Sequence, residues 1–377
     1  MKTFSHLLFR YSCFVVISLL GFCGLECKAS ERYLWDEGWR FSLHQDDKPQ
    51  QSAFDDSAWR LLDLPHDWAI EGDFYAQNPS GANGGALPGG KGWYRKHLIL
   101  HDNDAASRYV LHFDGAYMNT SVFVNGTLVG TRPYGFISFS YDLTPYLDKQ
   151  GDNVIAVKVD NSQQPNSRWY TGCGIYRHVY LSKSTDIRVA EWGVHAISKV
   201  EKGIGNLTLN TQIENPSGRS RRVTVRQKLW NKAHQIVAQT SKTCQVGGSG
   251  VTISQQMRVQ KPQLWSLSSP YLYTVTTEII ENGRVLDSDT ITTGIRTVAF
   301  DVAKGFFLNG ENIKINGVCL HGDLGCLGTA INEDALYRQL VMMKEMGVNA
   351  IRCSHNPPAP ELLNLCDSMG LLVMDEA

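Results

Sequence analysis

Three short apolar runs near the end of this sequence each finish in a cluster of polar residues. His321 and Asp323 follow Ile313–Leu320; Arg352, His355 and Asn356 follow Asn349–Ile351; Asp375 and Glu376 follow Leu371–Met374. Imidazole, guanidinium, carboxamide and carboxylate groups are what proton transfer, charge stabilisation and polar recognition require. A lone histidine after a strand is normally a satisfied loop residue. Three clusters in phase at successive strand ends point instead to one shared rim, which in a (β/α)8 barrel is the catalytic face. His321, Cys353 and His355 are metal-ligating types, but alternate residues of a strand face opposite ways and the spacing is not a zinc motif, so no metal is expected.

The elements that must position these groups are legible from period and capping. Asn332 is a plausible N-cap, with Glu333 and Asp334 at the positive end of a helix. Leu336, Leu340, Met343 and Met346 share one helical face, and Gly347 ends it. A second helix carries Leu362, Leu365 and Met369 on one face and stops at Gly370. Strand–helix–strand–helix–strand at this spacing predicts parallel strands with right-handed crossovers. Phe306-Phe307-Leu308 before Asn309-Gly310 predicts a hairpin opening this region.

The preceding sequence reads as β-structure. Residues 32–184 carry strands at Tyr109–Phe113 and Asn153–Val159, and a hairpin at Ser121–Val129 turning on Asn125-Gly126. This predicts a jelly-roll sandwich. The Gly-rich stretch Ser80–Gly92 matches no phosphate-binding spacing and is expected to be a flexible surface loop. Residues 185–298 show strands at Val194–Val200, Leu207–Glu214, Val223–Trp230, Val251–Val259 and Tyr271–Ile280, then an Asn282-Gly283 turn toward Val285 and Ile291. Roughly seven short strands over about a hundred residues suit an immunoglobulin-like sandwich. Trp265 and Tyr271 are expected in its core or at an interface. The fold class is therefore multidomain: two all-β sandwiches followed, over 299–377, by the first part of a (β/α)8, or TIM, barrel.

Bulk properties narrow the function classes. Hydrophobic residues make up 42% and charged residues 19% of 377, with a formal net charge of −1. That charge argues against nucleic acid or an anionic membrane as partner. The Arg219, Arg221, Arg222 cluster reads as a solvated loop. Lys2 and Arg10 before the apolar run Tyr11–Phe22, with Ala29 and Ser30 after it, fit a secretory signal peptide over 1–29. An exported protein is the expectation: periplasmic, cell-surface or secreted, with no transmembrane helix in the mature chain. Cys23 and Cys27 lack lipobox neighbours. The cysteines from Cys173 onward show no CxxC and no dense framework; one disulfide is open, with no pair singled out. Oligomeric state leaves no signal.

Several stretches together resemble glycoside hydrolase family 2, the family of β-galactosidases, β-glucuronidases and β-mannosidases. They are Leu64-Pro65-His66-Asp67-Trp68, Gly92-Trp93-Tyr94-Arg95, Gly174-Ile175-Tyr176-Arg177, Lys314-Ile315-Asn316-Gly317-Val318 leading to His321, and Asn349-Ala350-Ile351-Arg352 followed by Ser354-His355 and later Gly370. The resemblance runs from about residue 32 to the chain end. Asn356 departs from it, standing where an aromatic residue often precedes the proline. The resemblance implies a glycosidase that removes terminal β-linked sugars, most naturally β-galactosides, from a glycoside or oligosaccharide and needs no cofactor. It implies a retaining mechanism with two carboxylates roughly 5–5.5 Å apart. Both would sit on later barrel strands, so no catalytic residue is expected within this sequence. Asp375 and Glu376, being adjacent, point to opposite faces and cannot replace them.

What the resemblance assigns here is the supporting half of a site. Arg352 would orient and ionise the nucleophile, and His321 and His355 would bond sugar hydroxyls or the transition state. Asn356 is a weaker candidate for hydroxyl recognition. Asp67 and the Asn166-Ser167-Arg168-Trp169 stretch would reach the sugar pocket, with Trp169 stacking on a pyranose face or else lying in the sandwich core. Residues 301–377 fall far short of the roughly 250 of a full barrel. The expectation is a chain inactive by itself and poorly stable in that segment. The alternative is a non-catalytic carbohydrate-binding or adaptor protein built on the two sandwiches.

Overall fold

A computed structural model describes residues 30–43, 47–101, 108–184 and 187–376. The expected signal peptide at 1–29 lies outside them. Three units follow one another. The first is a jelly-roll sandwich of two antiparallel sheets, four strands facing six. Trp39, Tyr94, Leu111, Phe113, Ile155 and Val157 fill the space between them. Its hairpin between Thr120–Val124 and Thr127–Arg132 turns on Asn125 and Gly126, both at positive φ, as a type I′ turn demands.

The second unit is an immunoglobulin-like sandwich of three strands on four. In Ile204–Glu214 the residues Leu207, Leu209, Thr211 and Ile213 alternate inward, giving the two-residue period of a half-buried strand. The strand Ile236–Val246 had no sequence signal. It forms the edge of the four-stranded sheet, and its inward positions Ala238, Thr240 and Cys244 are small or polar and only part-buried, so no clear apolar alternation marks it in the sequence. Arg221 is no loop residue either: it opens the strand Arg221–Trp230 and pairs with Glu281.

The third unit is a parallel sheet of Gly317–Leu320, Ala350–Cys353 and Leu372–Met374, in that order, joined by α1 (Glu333–Glu345) and α2 (Pro360–Met369). Asn332 caps α1 by accepting from the Ala335 amide at 2.9 Å. Gly370 ends α2 in the left-handed region, where a Cβ would stand 2.5 Å from the Leu267 carbonyl. Leu336, Leu340, Ile351, Leu362 and Leu365 form the core between helices and sheet. Met346 leaves that face, because α1 ends at Glu345, and is 75% exposed. The first barrel strand is shorter than its apolar run, since residues 313–316 stay outside the sheet.

These units share polar seams. The Ile331 amide donates to the Tyr176 carbonyl at 2.9 Å, and Arg177 Nη2 to the Pro357 carbonyl at 2.8 Å. Trp265, 1% exposed, donates its indole N–H to the Asp367 carbonyl at 2.7 Å, joining the second unit to the barrel segment.

Candidate functional site

Strand register sets the polar rim. Cys319 pairs with Arg352 across the parallel sheet, so both point away from the helices, whereas Ile351 and Cys353 point into the core. Arg352 Nη2 meets Glu376 Oε1 at 2.5 Å, and His355 Nδ1 meets Glu376 Oε2 at 3.1 Å. Arg352 Nη1 lies 3.4 Å from both Cys319 Sγ and Ser354 Oγ. Partial burial pushes the Glu376 carboxyl up, but hydrogen bonds from His355 and Arg352 outweigh it and hold the group below the usual carboxylate range. Arg352 also draws the Cys319 thiol below its ordinary value.

Above this rim, three rings from two units meet edge to face. Trp169 of the jelly roll lies 5.7 Å from His321 and 5.2 Å from His355, and the two imidazoles are 5.6 Å apart. The Trp169 ring is half-buried and outside the sandwich core. It forms one wall of an open cleft of about 800 Å³, shared with Arg168, His355, Tyr117, Tyr134 and Phe136. That volume suits a small ligand. Flat aromatic walls with polar N–H groups at one end suit the mixed apolar and hydroxyl faces of a pyranose.

The structure therefore brings His321, Arg352, His355, Arg168 and Trp169 to one place. Asn356 turns inward: it is 7% exposed and lines a narrow cavity of about 50 Å³ beside His321 and Trp169, its Oδ1 without a partner among the described residues. Asp67 must be corrected. It is 2% exposed and lines neither space, because its carboxylate is filled by donors from its own chain. The Gly-rich stretch is corrected too. Ser80 Oγ donates to the Leu87 carbonyl at 2.8 Å, residues 82–84 form a 3-10 turn, and Gly81, Ala82 and Asn83 build a cleft wall.

Sequence reading missed Glu376 as the partner of Arg352 and His355. It also missed the aromatic wall of Tyr117, Tyr134 and Phe136. The available signal for that wall was Tyr134-Gly135-Phe136, two aromatic residues in a turn where a Cβ on Gly135 would stand 2.5 Å from the Tyr117 ring. Asp375 and Glu376 diverge: Asp375 lines a separate groove with Trp192 and Pro360. Cys353 is 3% exposed and packs in the core between helices and sheet. Among the described residues no group of three histidine, cysteine or acidic side chains has metal-binding geometry. The described cysteines are free thiols. No helix among these residues is long and apolar enough to cross a membrane.

Comparison with known proteins places this geometry. Residues 35–185 match the sugar binding domain of glycosyl hydrolases family 2, residues 187–296 match the profile named for that family itself, and residues 300–377 match its TIM barrel domain. The chain is 52% identical over 362 residues to Beta-galactosidase BoGH2A of Bacteroides ovatus, an alignment covering 95% of this chain and 42% of that protein. It is 38% identical to a putative beta-glucuronidase of Formosa agariphila, over 91% of this chain and 32% of that one. A solved glycosyl hydrolase family 2 member from Bacteroides cellulosilyticus superposes with a TM-score of 0.89 at 35% identity, covering 92% of this chain and 46% of that one. The chain spans less than half the length of each of these relatives.

Proposed function

The chain belongs to glycosyl hydrolase family 2, and from that premise we propose that residues 30–376 form the sugar-gripping side of a glycosidase removing terminal β-linked sugars, with β-galactosides as substrate. The observation that carries this reading is the meeting of Trp169 and His355, which line the cleft, with His321 just behind them, and the Arg352–Glu376 pair beneath. Trp169 stacks on the apolar face of the pyranose, while the imidazoles address its hydroxyls. Arg352 and His355 hold an anionic rim that orients the reacting sugar. The galactoside preference rests on likeness to the Bacteroides ovatus protein.

Hydrolysis with retention needs an acid/base carboxyl and a nucleophilic carboxylate about 5–5.5 Å apart across the scissile bond. Asp375 and Glu376 face different spaces. We assign both catalytic roles to groups outside residues 30–376. The polypeptide of 377 residues is thus expected to bind methyl β-galactoside without turning over nitrophenyl β-galactoside. Calorimetric titration reads the first, and Trp169→Ala should abolish it. Release of nitrophenol well above a buffer blank would overturn the second. Export belongs to the same proposal, and cell fractionation tests it: a cytoplasmic protein retaining residues 1–29 contradicts it.

A further inference from the structure

A carboxylate that solvent does not reach is costly unless donors surround it. Asp67 has five. Its Oδ1 accepts from the amides of Ala69 at 3.1 Å and Cys173 at 2.8 Å. Its Oδ2 accepts from the Thr329 amide at 2.9 Å, the Thr329 hydroxyl at 3.1 Å and the Tyr170 hydroxyl at 2.5 Å. The bond to Ala69 is all that local structure asks, since it caps the short turn Trp68–Glu71. The other four reach two separate loops. One runs through Tyr170 and Cys173 of the jelly roll; the other holds Thr329 of the barrel segment.

Both loops are thinned to backbone where they close on this group. Gly172 has φ +71°, and a Cβ there would lie 1.9 Å from Thr329 Oγ1 and 2.7 Å from Asp67 Oδ2. Gly328 has φ +61°, and a Cβ there would lie 2.4 Å from the same oxygen. A side chain at either position would hold the loops apart. Burial, and then the neighbouring Asp67 charge, push the Tyr170 hydroxyl far above its usual range, so it stays a donor.

The cargo of these loops gives the clasp its meaning. Trp169 is the neighbour of Tyr170 in the chain, and the loop held at Thr329 begins at His321. We propose that Asp67 is a positioning residue for the sugar site: its carboxylate ties the Trp169 loop to the His321 loop, so that stacking platform and imidazole address one sugar. The inference rests on reading the cleft as that site. It also explains why a residue of the first sandwich should serve a barrel rim without touching the ligand.

The test uses the 377-residue chain with Tyr170→Phe and Thr329→Val, together and singly, because each deletes a hydroxyl and keeps the packing volume. Asp67→Asn, which turns an amide N–H toward donors, is the harsher variant. Nuclear Overhauser contacts between the Trp169 indole and the His321 and His355 rings report the geometry directly. In the double variant these contacts should vanish, while the Trp230 indole of the second sandwich keeps its resonance. Affinity for methyl β-galactoside should fall on the order of tenfold or more, as misplacement near a site does. Thr329→Ser, which retains the hydroxyl, should preserve both. Ring contacts unchanged in the double variant would overturn the proposal. A wild-type chain that ignores methyl β-galactoside would defeat the sugar reading alone, because the ring contacts would still report on the clasp.

Discussion

The two sandwiches share an architecture and treat charge in opposite ways. The jelly roll draws it inside. Arg95 is fully buried, with Nε 2.7 Å from Asp56 and its remaining N–H groups on the carbonyls of Pro49, Gln51 and Phe54. His112 and Asp114 meet at 2.8 Å, both 2% exposed. The immunoglobulin-like unit keeps ion pairs such as Arg226–Glu278 at its surface. Most polar groups in its interior are neutral, as where Gln227 donates to Thr211 and Thr277. Asp287 is the exception; burial raises its carboxyl while it accepts from the Val189 amide. Ladder hydrogen bonds satisfy a regular sandwich without help. Long irregular segments must find other partners for their backbone, and buried ions supply several at once. The charged interior therefore marks the unit whose irregular segments are held in place, and other loops of that same unit carry the cleft.

That contrast can be broken most easily at Arg95. Arg95→Met leaves three carbonyls without their donor and Asp56 with only Arg40 and His97 beside it, and removing one partner of a buried pair costs about 3–5 kcal/mol. Hydrogen exchange of jelly-roll amides reads the loss; a change near zero would mean the buried ion is incidental. Next comes Leu209→Ala in the second sandwich, where an emptied core position costs about 2–5 kcal/mol. Urea unfolding should show it, with affinity for methyl β-galactoside intact. Loss of sugar binding there would show that the two units are not separable.

A smaller effect concerns pH. Burial lowers the His178 pKa, but its bond to Asp36 and the charges of Asp36, Glu361 and Asp114 outweigh this and raise it above the usual 6.5. A raised imidazole value means a contribution fully present below the unfolded pKa and lost as pH rises through the folded one. The His178 contribution to jelly-roll stability should therefore fall from mildly acid to mildly alkaline solution, against the opposite contribution of His66, whose buried imidazole is lowered, and His178→Gln should make the unit's stability rise more with pH than it does in the wild type. Smallest of all is Arg226→Ala, where an exposed pair is exchanged for solvent. Its unfolding curve should overlie the wild type at any salt concentration.

How far the site could be read depended on what held each residue. The rim was legible because a strand end is a local event: apolar run, polar cluster, helix cap, glycine stop. His321, Arg352 and His355 followed from it. The family resemblance puts Asp67 at the sugar pocket; only the donors packed around its carboxylate show that it does not reach that space. The sequence places Glu376 on the rim but not opposite Arg352 and His355, because that pairing depends on how the third strand is seated beside the second. The edge strand Ile236–Val246 was unreadable because its inward face carries small or polar residues such as Ala238, Thr240 and Cys244, so the alternation in burial has no strong apolar signature in the sequence.

By itself, then, the sequence determined the order of the three units, the Asn-Gly turns with their positive φ, the cap at Asn332, the stop at Gly370 and the parallel run of the last strands. Each depends on neighbours a few residues apart, where sterics and hydrogen bonding leave few choices. Tertiary structure alone decided that the Asp67 carboxylate closes on Thr329, 262 residues away, and that Trp169 faces two histidines of another unit. Such pairings depend on how whole sheets pack, and no local period records which loops that packing brings together.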